Sequence, residues 1–255
     1  MIHSRTTLAL AVVVLATGCG SQGAASTTPT SRAITTSLAP TTTTVVPTAV
    51  APTTSGAPVV PLKIMALGDS ITEGLYYRSP LQVRLAASAC RVDFVGSQKV
   101  PTSPVALFDP DHEGRGGLRA DQIADGARAW AAAAAPDMVL LHVGTNDFYQ
   151  DQDVSSTVAD VKRIIAEVKT ARPQARLFVA QIIPGGGIEK KVMELNAGVA
   201  ALASDASVTI VDQNSGVDAA KDTVDGAHPN PALGDRMAQR WQDALRRPLE
   251  AVCSR

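Results

Sequence analysis

From Leu62 onward, short apolar runs alternate with longer stretches in which apolar residues recur every three or four positions. Strand-length runs separated by amphipathic, helix-length segments predict a parallel sheet covered by helices. The runs predict strands near 62–67, 92–96, 137–143, 176–182 and 207–212, and the segments between and after them predict helices near 79–89, 119–131, 153–171, 189–204 and 231–246. The third run, Met138 to Val143, is almost unbroken apolar sequence, as a central strand buried on both faces requires. Right-handed crossovers then give a three-layer, doubly wound α/β fold around a five-stranded parallel sheet. In such folds reactive groups gather beyond the carboxyl ends of the strands, so a candidate site should fall there.

The pattern before Leu62 is different. Residues 1–18 carry Arg5, an apolar run from Leu8 to Ala16 and small residues ending at Gly18, which reads as a secretion signal. The run is shorter than the roughly 20 residues that a membrane-spanning helix needs. Cys19 follows in a string similar to a bacterial lipoprotein box, whose cysteine would carry the lipid, although that pattern prefers leucine where Ala16 stands. The same string also fits an ordinary signal peptide with a cysteine near its end. From there to Pro61 the chain is dominated by Thr, Ser, Ala and Pro, with almost no charge and no aromatic residue. Such a segment buries too little apolar surface to offset its ordering entropy and reads as a tether, leaving 62–255 as a single folded domain. The expected location is therefore outside the cytoplasmic membrane, with the membrane touched only through a lipid on Cys19.

Setting Cys19 aside leaves two of the three cysteines, Cys90 and Cys253, which in an oxidising compartment are either a disulfide or two separate thiols. A net charge of -1, with no run of Lys or Arg, gives no footing for nucleic acid. A monomer is expected. Nothing in the sequence calls for a metal or organic cofactor, since His112 and Glu113 alone do not make a metal site.

Four short segments fall at strand ends or in loops beside them. Gly68-Asp69-Ser70-Ile71-Thr72 follows the first strand, where a serine entering a turn exposes its hydroxyl and turns its N–H to the same pocket. Alone, the tripeptide Gly-Asp-Ser is also an ordinary turn and helix cap. His112-Glu113-Gly114-Arg115-Gly116-Gly117 reads as a loop whose Gly114 N–H could face a developing oxyanion, or as a flexible connector. Gly144-Thr145-Asn146-Asp147 follows the third strand and offers the Asn146 amide as a neutral donor, with turn formation as the bland alternative. Asp225-Gly226-Ala227-His228-Pro229 precedes the last helix, at a spacing that lets a carboxylate hold one ring nitrogen while the other faces a serine.

In this order, the four segments resemble the sequence blocks of the SGNH hydrolases, also called GDSL esterases/lipases, over residues 62–247. The resemblance implies a flavodoxin-like SGNH fold. It assigns Ser70, Asp225 and His228 to catalysis and Ser70, Gly114 and Asn146 to the oxyanion hole. Within that family, 68–74, 112–114 and 225–229 are most similar to the family-three carbohydrate esterases, although Gly116 stands where serine is common and Leu118 where an aromatic is usual. The implied activity is carboxylic-ester hydrolysis through an acyl-enzyme, with an acylated carbohydrate as substrate. A lipase or thioesterase on the same fold, or a surface binding protein without turnover, remain the alternatives. The 4 % aromatic content shows no sugar-stacking platform. Among the other polar residues, Arg78 reads as a surface ion-pair former, His142 as a core histidine, Asn196 as a structural hydrogen-bonder, and Trp130 and Trp241 as packing.

Overall fold

In the computed structural model, which describes residues 60–88, 90–99 and 108–253, each of the five apolar runs becomes a strand and each long amphipathic segment a helix. The leader, Cys19 and all of the tether but its last two residues lie outside the described residues. In chain order the elements are β1 (Leu62–Gly68), α1 (Ser70–Glu73), α2 (Arg78–Ala86), β2 (Val92–Phe94), β3 (Gln98–Lys99), β4 (Asp111–Gly114), α3 (Ala120–Ala134) and β5 (Met138–His142). They continue with α4 (Thr145–Tyr149), α5 (Val154–Ala171), β6 (Arg176–Gln181), α6 (Glu189–Ala200), β7 (Val208–Asp212), α7 (Ala219–Asp222) and α8 (Pro231–Cys253).

Five parallel strands lie in the order β2-β1-β5-β6-β7, with Leu62 opposite Val92, Ile64 opposite Met138 and Leu140 opposite Phe178. Every residue of β5 is buried, as its unbroken apolar sequence demanded. Helices α2 and α8 pack together, and α3, α5 and α6 form a second group. Right-handed crossovers put these groups on opposite faces of the sheet.

The sheet has seven strands rather than five. β2 covers only the first half of β1, which would leave the backbone of Leu67 and Gly68 unpaired on that side. β4 fills the gap in parallel, with Glu113 opposite Leu67 and Gly114 opposite Gly68, and β3 adds to β4 in antiparallel fashion. The segment 112–114, read above as loop, is therefore strand. It is held there by the demand of buried backbone for partners, a demand that leaves no apolar run in the sequence.

Helix α8 anchors the last layer. Asn230 caps it, its Oδ1 accepting the Leu233 N–H at 2.9 Å, and Pro231 occupies the first turn, where its missing N–H costs nothing. Leu233, Met237, Trp241, Leu245 and Leu249 recur every four residues and are all buried. At its far end Cys253 is disulfide-bonded to Cys90, which follows α2, with the Cα atoms 5.5 Å apart and a sequence separation of 163.

A loop of that length constrains the unfolded chain strongly, and loss of a native bridge typically costs about 2–5 kcal/mol. Cys90→Ser/Cys253→Ser protein should lose stability in that range in urea unfolding, compared with oxidised wild type. A change below about 0.5 kcal/mol would mean that the bridge does not constrain the chain.

Candidate active site

β1 and β5 end side by side, so closely that a Cβ on Gly68 would collide with the His142 carbonyl. The chain leaving β1 turns at once into α1, capped by Asp69, whose Oδ1 accepts the Ile71 N–H at 3.0 Å. Ser70 is the first residue of that turn. The chain leaving β5 turns at Gly144, whose φ of +129° is open to glycine but to few other residues, and enters α4 with Asn146 in its first turn.

His228 reaches Ser70 from 158 residues away, its Nε2 lying 2.8 Å from the hydroxyl Oγ. The loop that carries it is closed on itself by a Thr223–Pro229 bridge and by the Val224 N–H donating to the His228 carbonyl at 2.9 Å. Asp225 lies beneath the ring. Its Oδ1 accepts the N–H groups of Ala227 at 3.0 Å and His228 at 2.8 Å, and its Oδ2 lies 2.7 Å from His228 Nδ1. These hydrogen bonds, led by the backbone N–H and the ring of His228, pull the Asp225 carboxyl down to about 2. An ionised Asp225 keeps the proton on Nδ1 and leaves Nε2 free to accept from Ser70.

Two tyrosines hold this loop in place. Tyr76 stacks on His228 with ring centres 5.6 Å apart, and the Tyr149 hydroxyl at the end of α4 lies 3.2 Å from the Gly226 carbonyl and 3.3 Å from that of Gly186. Neither was singled out in the sequence. The signal available was compositional: the chain has three tyrosines, and the third, Tyr77, bonds Thr72 in α1 through its hydroxyl at 3.1 Å.

The three expected donors differ in what they already bind. Among the described residues nothing accepts from the Ser70 N–H. Asn146 gives one N–H of its amide to the Leu118 carbonyl at 3.0 Å and keeps a second. Gly114 packs against the backbone of Thr72 and Glu73 so tightly that a Cβ would not fit. Its N–H, however, is spent on Nδ1 of the buried His112 at 3.0 Å. Burial, aided by repulsion from Arg78, lowers His112 to about 4 and keeps that ring a neutral acceptor. The sequence could not show this competitor for the Gly114 N–H, because it depends on a rotamer and not on spacing.

Several polar residues take structural places. Arg78 is buried rather than on the surface: its Nε donates to the Thr72 carbonyl at 2.6 Å and its NH2 group to that of Glu73 at 2.8 Å, satisfying carbonyls of the short α1 turn. Glu113 is buried against Arg115 at 2.5 Å and accepts the Ser97 N–H at 2.8 Å, fixing β4 to the start of β3. Asp147 accepts the Ala120 N–H at 3.0 Å and so pins α3 to α4. Asn196 bonds both backbone groups of Ile182, at 2.7 and 2.9 Å. Trp241 is buried in the core, and the half-buried Trp130 ring lies under the Arg115 guanidinium. Among the described residues no three His, Cys, Asp or Glu side chains are grouped as a metal site.

Two buried groups beside the nucleophile are under electrostatic load. Burial pushes the Asp69 carboxyl up to about 7, and neighbouring Asp147 adds to the rise. Burial pulls His142 down to about 4, and among the described residues neither of its ring nitrogens has a partner.

An arrangement of hydroxyl, imidazole and carboxylate can take the proton from Ser70 as its oxygen attacks an electrophile, with neutral N–H groups facing the negative charge that forms. A family model described as GDSL-like Lipase/Acylhydrolase family matches residues 66–248. A multidomain esterase of Ruminococcus flavefaciens is 26 % identical over 224 residues, covering 74 % of this chain, and the chain spans 29 % of that relative's length. A Clostridium thermocellum family 3 carbohydrate esterase structure superposes with a TM-score of 0.68 at 29 % identity, over 76 % of this chain and 100 % of the other. A carbohydrate esterase family 3 structure from Talaromyces cellulolyticus gives 0.66 at 28 % identity, over 75 % and 99 %.

The buried groups make stability depend on pH in two opposed ways. The folded-state pKa of His142 lies below its ordinary value of 6.5, so stability present above pH 6.5 is lost as the pH falls towards 4, and His112 acts in the same sense. Asp69 acts oppositely: stability present below pH 3.8 is lost as the pH rises towards 7. Replacing His142 by Phe should therefore reduce the loss of unfolding free energy between pH 6.5 and 4.5 by roughly 2 kcal/mol in urea titrations. An unchanged slope would show that the ring does not take up the proton on unfolding.

Proposed function

Because the chain belongs to the GDSL-like lipase/acylhydrolase family, we propose that it hydrolyses carboxylic esters through an acyl-enzyme on Ser70 and that its substrate is an acylated carbohydrate. The observation that carries the mechanism is the unbroken line Ser70 Oγ–His228 Nε2 at 2.8 Å and His228 Nδ1–Asp225 Oδ2 at 2.7 Å. His228 takes the Ser70 proton as Oγ bonds to the ester carbonyl carbon, and Asp225 stabilises the imidazolium that forms. The oxyanion meets the Ser70 N–H and the second N–H of Asn146. The Gly114 N–H joins them when it exchanges His112 Nδ1 for the oxyanion. Collapse of the intermediate breaks the bond to the alcohol oxygen, which receives the proton from His228 Nε2. Water, activated by the same imidazole, then releases the acid and restores Ser70.

The carbohydrate half of the proposal is supported by the likeness to two carbohydrate esterase structures along almost their whole length. The same reading places the protein outside the cytoplasmic membrane as a monomer, exported by residues 1–18 and carried on Cys19 or released. The Cys90–Cys253 bridge supports that location, because such bonds persist in oxidising compartments.

Ser70→Ala should abolish both turnover and labelling by a fluorophosphonate, and full esterase activity in that variant would refute the nucleophile assignment. Asn146→Ala should lower kcat about 100- to 1,000-fold, equivalent to about 2.7–4 kcal/mol of transition-state stabilisation. A series of nitrophenyl esters from acetate to palmitate should favour acetate, and acetylated xylan should release acetate. A preference for long chains would replace carbohydrate deacetylation with lipase action.

A further inference from the structure

An open groove of about 760 Å³ lies between the start of α2 and the start of α8, with Pro229, the residue after His228, in its wall. Its walls include Tyr76, Pro80, Val224, Pro229 and Pro231, and the Asp235 carboxylate lies at its edge. The Tyr76 ring is shared between the groove and the catalytic histidine, on which it stacks. Val224 holds its side chain out towards solvent with 64 % of its surface exposed, although it sits four residues before His228. An isolated exposed valine needs no explanation. One that lines a groove beside a tyrosine and three prolines belongs to a rigid apolar wall.

We infer that this groove is the subsite for the alcohol half of the ester and that it accepts a pyranose ring. The inference rests on the proposed serine mechanism for its direction. The bond that breaks joins the carbonyl carbon to the alcohol oxygen, and the proton that this oxygen receives comes from His228 Nε2. The alcohol half must therefore leave on the His228 side, where the groove lies, while the carbonyl oxygen is turned towards Ser70 N–H and Asn146.

The chemistry of the walls selects among alcohols. A pyranose presents an apolar face of C–H bonds and an edge of hydroxyls. The face fits the Tyr76 ring and the proline and valine wall, and an aromatic ring with fixed neighbours loses little conformational freedom on binding. The edge meets Asp235, whose Oδ1 is held by Arg84 at 2.7 Å and whose other oxygen is left to accept a hydroxyl. An alkyl chain would gain nothing from that carboxylate. The volume lies within the range of small-ligand sites and the groove is open along its length, which suits a ring that is part of a longer chain. The aromatic platform that composition did not reveal is thus a single tyrosine placed against the catalytic ring.

Two measurements test this. In the first, Tyr76→Ala and Val224→Ser are assayed with ethyl acetate, acetylated xylo-oligosaccharides, and nitrophenyl acetate and octanoate. The loss in kcat/KM for the oligosaccharide should exceed the loss for ethyl acetate by roughly 3- to 10-fold, through KM, with the acetate-to-octanoate ratio unmoved. Equal losses for both acetyl esters would reduce Tyr76 to a support for His228, and an altered acyl-length ratio would put the acid half in the groove; either result overturns the inference. The second measurement titrates xylotetraose into Ser70→Ala protein, followed by NMR, with and without Tyr76→Ala. Binding that weakens with Tyr76→Ala supports the subsite even if wild type proves not to be an esterase, whereas binding indifferent to Tyr76 overturns the subsite even if it is one.

Discussion

The juxtaposition of β1 and β5 at their carboxyl ends is the constraint on which the rest depends. Gly68 lies against the His142 backbone with no room for a side chain, so the turns that follow the two strands begin within one side chain's reach of each other. Ser70 and Asn146 are therefore neighbours through backbone pairing, before any side chain chooses a rotamer. Parallel strands hydrogen-bonded in register are a stiff support for groups whose positions must hold to a fraction of an ångström.

His228 is held by a different principle, since no strand carries it. Its loop is tied within itself by the Thr223–Pro229 bridge, to α4 through Tyr149, and to the 185–187 turn through the Gly186 N–H donating to the Gly226 carbonyl at 2.7 Å. It leads directly into α8, which its buried stripe and terminal disulfide fix to the domain. A histidine on a loop gains its precision from a rigid helix starting three residues later. The hydroxyl and the imidazole thus arrive from the first and last parts of the domain, and folding must be complete before they meet.

What could be read from the sequence follows from how local each cause is. β1, β5 and β6 were legible because burial on both faces writes itself as an apolar run, β2 and β7 because each keeps a shorter apolar run, and Ser70, Asn146, Asp225 and His228 because they stand at the ends of such runs or at a fixed spacing before a helix. β3 and β4 were not, because two- and four-residue strands arise from unpaired backbone on β1 and leave no period. Arg78 was misplaced at the surface: a buried guanidinium requires two carbonyls aimed at it, and only the folded α1 turn supplies them. The commitment of Gly114 to His112 and the groove under Tyr76 are tertiary facts of the same kind, each depending on where one ring points.

Two carboxyl groups act on His228, and their surroundings divide the work between them. Asp225 is half exposed, receives two backbone N–H groups and the ring, and is ionised at any pH above about 2, so it is a permanent partner for the imidazolium. Asp69 is fully buried, has an oxygen without a partner among the described residues, and is pushed to about 7. Thr145 Oγ1 and both nitrogens of His142, at the same strand ends, also lack partners among the described residues. Each such atom costs about 1–3 kcal/mol, so the strand ends beneath the nucleophile carry a local cost in stability. The apolar stripe of α8 and the core of β5 offset that cost from elsewhere in the domain, which is the distribution expected when a site's geometry is set by chemistry and its stability by everything around it. A second permanent charge in that dry region would compete with Asp225 for the orientation of the imidazole. With its carboxyl raised to about 7, Asp69 carries only part of a charge near neutrality; it caps α1 through Oδ1, while the hydrogen bond that fixes the tautomer of His228 comes from Asp225.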